Sequence, residues 1–379
     1  MRKRAAAVAV ASVVAAVSGV AGASAATGAP APKTYQGAKV AQYATGQGNL
    51  TSFAWLNGTM FAGDSGNSQS LPNGGLDVIK NHVVVRIPSP LVFVAGLAVR
   101  NHVLYISGAQ FGSQGPEFQI LAWSGWNGAT FTHQRVVYTG PQGFQGFNGL
   151  AFAPNGRLLV GVDVGLLNGN DHGPASTSPY VYDILSMNTS GKNVKVFAKG
   201  IRQPWQMAFA KGDSSPFVSA LGQDCTGANP CASTAPPANV PDFILHVKQG
   251  QNYGFPKCNR TKGSPCKGYA KPFKTLRPHF DPMGIAVVGK TLYITSFLGP
   301  KFQGGALYSM PITGGKLKPV VTGFPAGTDA LAAHSGALFV GGSTEATNTG
   351  VVYKVTLKKA TKKSTHKKHK KSTGPTFTG

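Results

Sequence analysis

The stretch GIRQPWQMAF, residues 200–209, sets a permanent charge and an amide, Arg202 and Gln203, directly before an aromatic-rich apolar run. A guanidinium fixed there can hold an anionic group or stabilise negative charge as it develops in a reaction. Other polar residues stand in the same way before short apolar runs: Gln145 and Asn148, His279 and Asp281, and Asp329. His279 has an imidazole that could titrate in the range useful for moving a proton. Each also has a plain structural use. Arg202 could form an ion pair or clamp a backbone carbonyl between elements, and His279 could bond a nearby carbonyl. The four cysteines, Cys225, Cys231, Cys258 and Cys266, include no C-x-x-C pair, which argues against a zinc site. They read instead as two disulfides that staple one loop region. Three pairings are open, with Cys225–Cys231 and Cys258–Cys266 preferred.

The elements that carry these residues repeat. Six segments share one pattern: an apolar strand centred on alanine, a short turn, then a second apolar strand ending in small residues. They begin at Leu50, Phe93, Phe147, Pro204, Pro282 and Thr328, and their alanines are Ala54, Ala98, Ala151, Ala208, Ala286 and Ala332. The spacing is that of four-stranded propeller blades. The sequence therefore predicts an all-β fold, a six-bladed β-propeller over residues 37–357. The alanines are expected where inner strands crowd a central channel. Equivalent inner strands run the same way along that channel, so residues at their starts surround one mouth, the default place for a binding site. The early strand AKVAQYA, Ala38 to Ala44, is expected to pair with the last repeat and fasten the ring.

Four motifs give the chain a resemblance to the soluble quinoprotein glucose/sorbosone dehydrogenases. GIRQPWQMAF looks like the family's G-x-R-N-P-x-x-L-A-F. DFILHVKQGQNYGFPKC, from Asp242, looks like D-E-I-N-x-V-x-x-G-x-N-Y-G-W-P. HFDPMGIAV, from His279, is similar to H-x-x-P-x-G-x-x-F, and NGLAFAPNGRLLVGV, from Asn148, to the G-P-D-G-x-L-Y-V strand pair. The resemblance implies oxidation of a sugar with pyrroloquinoline quinone held beside calcium. On that basis Arg202, Gln203 and Asn148 would face the quinone, with Arg202 stabilising its reduced oxygen. The backbone carbonyls of Gly222 and Gln223 would hold Ca2+. The departures are chemical. Gln145 stands where the family has its catalytic histidine, and an amide cannot take up a proton near neutral pH; His279 is the candidate substitute. Phe243 and Leu245 replace the family's Glu and Asn. Two readings follow: a quinone-dependent sugar dehydrogenase with an altered base, or a weakened propeller that binds a carbohydrate or cell-envelope polymer. Asn148 and Asp329 are also placed like metal ligands of propeller lactonases. That class needs a glutamate at the first blade's mouth, and Glu117 and Glu345 stand elsewhere.

Composition sets the compartment. Arg2, Lys3 and Arg4, an apolar stretch to Val20 and small residues at 23–25 read as a signal peptide over residues 1–26, and no later segment could span a bilayer. Residues 27–36 read as a flexible linker. The cysteines fit an oxidising compartment, so the protein is expected to be secreted. The net charge is +24. Three basic residues belong to the leader and eight lysines to the tail at 358–379, leaving about +13 on the folded part. The tail has almost nothing apolar to bury and reads as disordered. It could bind an anionic cell-envelope polymer, or serve only for solubility. It lacks the interleaved aromatics that base recognition in nucleic acid would need.

Overall fold

A computed structural model describes residues 31–66, 73–112, 115–144, 146–163, 179–222, 240–261, 263–297, 299, 304–325, 327–344 and 349–358. The leader, the lysine tail, Gln145, Gln223, Cys225, Cys231 and Glu345 lie outside these residues. The elements described are all strands. The first two, β1 (Lys33–Thr34) and β2 (Lys39–Gln47), precede the blades. The first blade is β3 (Leu50–Leu56), β4 (Thr59–Asp64), β5 (Gly75–Lys80) and β6 (Val83–Arg86). The second is β7 (Leu91–Arg100), β8 (Val103–Gly112), β9 (Gly115–Trp126) and β10 (Phe131–Thr139). The third is β11 (Phe147–Phe152), β12 (Leu158–Val162), β13 (Ile184–Met187) and β14 (Lys195–Ala198). The fourth is β15 (Gln203–Phe209), β16 (Pro216–Leu221), β17 (Pro241–His246) and β18 (Lys274–Pro278). The fifth is β19 (Pro282–Val288), β20 (Thr291–Ser296), β21 (Gly305–Pro311) and β22 (Lys318–Phe324). The sixth is β23 (Ala330–His334), β24 (Ala337–Thr344) and β25 (Thr349–Thr356), completed by β2 as its outermost strand.

Each blade is an antiparallel meander, and each inner strand packs against the next, with β23 returning to β3. The fold is thus a closed six-bladed β-propeller. Six apolar clusters fill the seams between successive blades. Most inner-strand residues are buried on both faces, because a blade covers each side. The repeated alanines lie in these seams rather than against the channel. Ala54, Ala98, Ala151, Ala208, Ala286 and Ala332 each pack on the blade that follows. The crowding falls two residues earlier: a Cβ on Gly149 would lie 2.5 Å from the Trp205 carbonyl oxygen, and one on Gly96 2.7 Å from the Gly149 Cα.

The ring is fastened as expected. β2 pairs with β25 from Lys39↔Thr356 to Gln47↔Thr349. It also pairs in parallel with β6, at Thr45↔Val83 and Gly46↔Val84, so the first and sixth blades share one continuous sheet. The segment before β2 departs from the linker expectation: Lys33–Thr34 pairs with β22, and Gln36 Nε2 donates to the Pro319 carbonyl at 2.7 Å. The outer edge of the fifth blade supplies partners that this short polar segment does not advertise.

Candidate functional site

The starts of β3, β7, β11, β15, β19 and β23 face one end of the channel. A bulge or register shift interrupts five of these six inner strands at the same place, near Thr51, Ala95, Asn148, Trp205 and Met283. Bulges re-aim side chains. With Asp329 on the sixth blade, these residues form one level of the hub, three positions before each seam alanine. All six are at least nine-tenths buried. Beneath them Gln206 of the fourth blade crosses the hub. Its Nε2 donates to the Thr51 carbonyl of the first blade at 2.6 Å, and its Oε1 accepts the Ile285 N–H of the fifth at 3.3 Å. The channel is bridged at that level, so the mouth has a floor. The sequence reasoning missed Gln206. Its one distinguishing mark is size, since the equivalent residues are Ser52, Gly96, Gly149, Gly284 and Ala330.

Arg202 is only 3% exposed. Its Nη1 donates to the Gly222 carbonyl at 2.6 Å. The N–H of the same Gly222 donates to Asp242 Oδ1 at 2.7 Å, and Asp242 Oδ2 accepts the N–H groups of Phe280 and Asp281, both at 2.8 Å. One backbone unit is thus gripped by a guanidinium and a carboxylate, and the carboxylate extends the grip to the turn that opens the fifth blade. That turn holds His279 and Asp281 at φ 51° and 49°, left-handed conformations costly for residues with side chains. Arg277 Nη1 donates to the His279 carbonyl. Gln203 lies beside Arg202, its Oε1 3.4 Å from Nη1. Arg202, Gln203, Gly222 and the His279 turn therefore belong to one connected network, whereas Asn148 stands on the hub ring.

The two most specific motifs meet in space. Gly200 has φ +70°, and a Cβ there would lie 2.4 Å from Asn252 Oδ1. The Phe255 N–H donates to the Gly200 carbonyl at 3.1 Å, and Tyr253 N–H to the Lys199 carbonyl at 2.9 Å. NYGFP is thus a strap over GIRQP, and the Cys258–Cys266 disulfide closes the loop beyond it. Between strap and blade runs a cleft lined by Arg202, Gly222, Phe243, Leu245, Tyr253 and Phe255, among others. Phe243 and Leu245 make this cleft apolar where the family resemblance expects Glu and Asn. Burial pushes the Tyr253 hydroxyl up to about 12, so it stays a neutral donor, to Gln251 Oε1 at 2.9 Å.

The Gly222 carbonyl is a poor calcium ligand in this setting. Ca2+ sits about 2.3–2.6 Å from its oxygens. Bound to this oxygen it would lie no more than about 5 Å from the Arg202 guanidinium, a repulsion of roughly 7 kcal/mol at an effective dielectric near 20. The described residues contain no group of three His, Cys, Asp or Glu side chains that could hold a metal ion. Calcium at Gly222 does not fit. The mouth has a further electrostatic character. Every described carboxylate except Asp213 stands on this side of the propeller, together with Arg86, Lys199, Arg202 and Arg277, and Arg86 pairs with both Asp64 and Asp77.

No family model matches the chain, and no curated protein matches it significantly. Solved structures do. A Trichoderma reesei carbohydrate-active enzyme of family AA12 matches at TM-score 0.65 with 16% identity, over 87% of this chain and 98% of that one. A Thermus thermophilus oxidoreductase described as a glucose dehydrogenase matches at TM-score 0.61 with 18% identity, over 84% and 100%. A luciferin-regenerating enzyme matches at TM-score 0.54 with 14% identity, over 84% and 95%. At such identities the likeness shows the fold alone.

Proposed function

We propose that this protein is a sugar-binding propeller whose mouth takes a small neutral carbohydrate, and in which Arg202 is a fixed structural cation rather than a redox group. The observation that carries this is the Arg202–Gly222–Asp242 clamp. The charge the resemblance assigns to a quinone is buried and committed to the carbonyl that the resemblance assigns to calcium. The carbohydrate class is supported by the descriptions of the AA12 enzyme and the glucose dehydrogenase, which share the fold. Among the described residues no helix is long and apolar enough to cross a membrane. The Cys258–Cys266 disulfide supports a secreted protein, its lysine tail available to anionic cell-envelope polymers.

The second reading, a quinone-dependent sugar dehydrogenase, is favoured by those same fold neighbours. Purified full-length protein separates the two. Pyrroloquinoline quinone with calcium should leave the absorbance of the quinone and the melting temperature unchanged, while a monosaccharide raises the latter. A bound-quinone spectrum with sugar-dependent bleaching would establish the dehydrogenase instead.

A further inference from the structure

The hub ring contains polar atoms that the fold leaves unused. Asn148 is fully buried, yet neither its Oδ1 nor its Nδ2 has a hydrogen-bond partner among the described residues. Its backbone is well served: the Asn148 carbonyl accepts the Ser107 hydroxyl at 2.6 Å. On the next blade Trp205 is 7% exposed, and its indole N–H likewise has no partner among the described residues. The Trp205 ring packs with Leu221, Met283 and Phe297 at the mouth. The two residues occupy the same level on adjacent strands, where Gly149 lets the backbones touch. Buried polar groups are almost always paired in native proteins, and each orphan costs stability. Two orphans at the same bulged level of adjacent inner strands mark a place where a ligand can supply the missing bonds.

The chemistry of the ring narrows the ligand. A carboxamide offers one acceptor and a donor pair, and an indole offers one donor beside an apolar face. That set suits vicinal hydroxyls, which both donate and accept, lying against an aromatic ring. A cation is disfavoured, because Thr51, Ala95, Trp205 and Met283 bring no anionic side chain and Asp329 is the ring's lone carboxylate. We propose that Asn148 and Trp205 form the floor subsite for a sugar's hydroxyl edge, an assignment that rests on the carbohydrate reading above and specifies where it acts.

The test uses full-length protein, with D-glucose, D-galactose and myo-inositol as probes and sodium citrate as a charged control. Binding is followed by calorimetry and tryptophan fluorescence. Asn148→Leu removes both orphan atoms at nearly constant size. Without sugar it should melt at or above the wild-type temperature, since an unpaired polar group is replaced by an apolar one. Its sugar affinity should fall at least about 10-fold, the loss expected when about 1.4 kcal/mol of hydrogen bonding disappears. Trp205→Phe should weaken binding and abolish the fluorescence change. If Asn148→Leu melts well below wild type, the amide is structural and the subsite is wrong. If the wild type binds a probe and both variants bind it equally well, the subsite is wrong while sugar binding stands. If the wild type binds none of the neutral probes, the subsite and the carbohydrate reading fall together.

Discussion

Arg202 shows how much of a charged residue's role is set by what it touches. Removing a guanidinium that bonds a carbonyl in a buried setting is destabilising, because the oxygen stays buried without its donor. Arg202→Ala should therefore lower stability by about 3 kcal/mol, read as a shift of the urea midpoint. Arg202→Lys should recover part of the loss, since an ammonium can still serve one carbonyl. Wild-type midpoints in both variants would show that the clamp contributes nothing. Two carboxyls give a second expectation. Burial holds Asp183 up at about 7, with Lys199 opposing; burial and the neighbouring Asp77 hold Asp64 up at about 6, with Arg86 opposing. Both values lie above those of the unfolded chain, so the native state binds more protons between about pH 4 and 7, and stability rises as pH falls through that window. The protein should melt at a higher temperature at pH 5.5 than at pH 8. Asp183→Asn should flatten that slope, and an unchanged slope would remove Asp183 from the explanation.

At the level of elements, closure depends on one close approach. Gly46 of β2 lies against β6, and a Cβ there would meet the Val84 Cβ at 2.6 Å and the Val84 carbonyl oxygen at 2.7 Å. Gly46→Val should push β2 off β6 and destabilise by about 1–3 kcal/mol, the usual cost of overpacking; a thermal melt equal to wild type would mean the seam is dispensable. The strand that makes this seam was legible in advance, because AKVAQYA is a short apolar-rich run ahead of the first repeat, and pairing it with the last repeat removes an exposed edge. The blades were legible for a similar reason: small residues recur in register at Ala54, Ala98 and onward. Their physical role was not, since a seam and a channel both demand small residues and only packing tells them apart. The pairing of Lys33–Thr34 with β22 left no mark in so short a polar segment. In the site, the unusual charge of Arg202 was visible, but its target was not, because the Gly222 carbonyl has no side-chain signature. Gln206 was passed over because a glutamine in an aromatic run reads as an ordinary strand residue until its bond across the hub is seen.

For the whole molecule, the central claim is that a closed, floored propeller presents a neutral sugar site without calcium-held quinone. One contact bears on it directly. The Gly222 carbonyl, to which the resemblance assigns calcium, accepts a hydrogen bond from the buried Arg202 guanidinium. A ligand that binds only the native state stabilises it by about 2.7 kcal/mol at one hundred times its Kd. The most direct measurement is therefore a thermal-shift comparison on full-length protein, with saturating D-glucose in one arm and calcium with pyrroloquinoline quinone in the other. The account predicts a rise of several degrees with the sugar and none with the metal and quinone. A rise with calcium and quinone, accompanied by a shifted quinone absorbance, would contradict it.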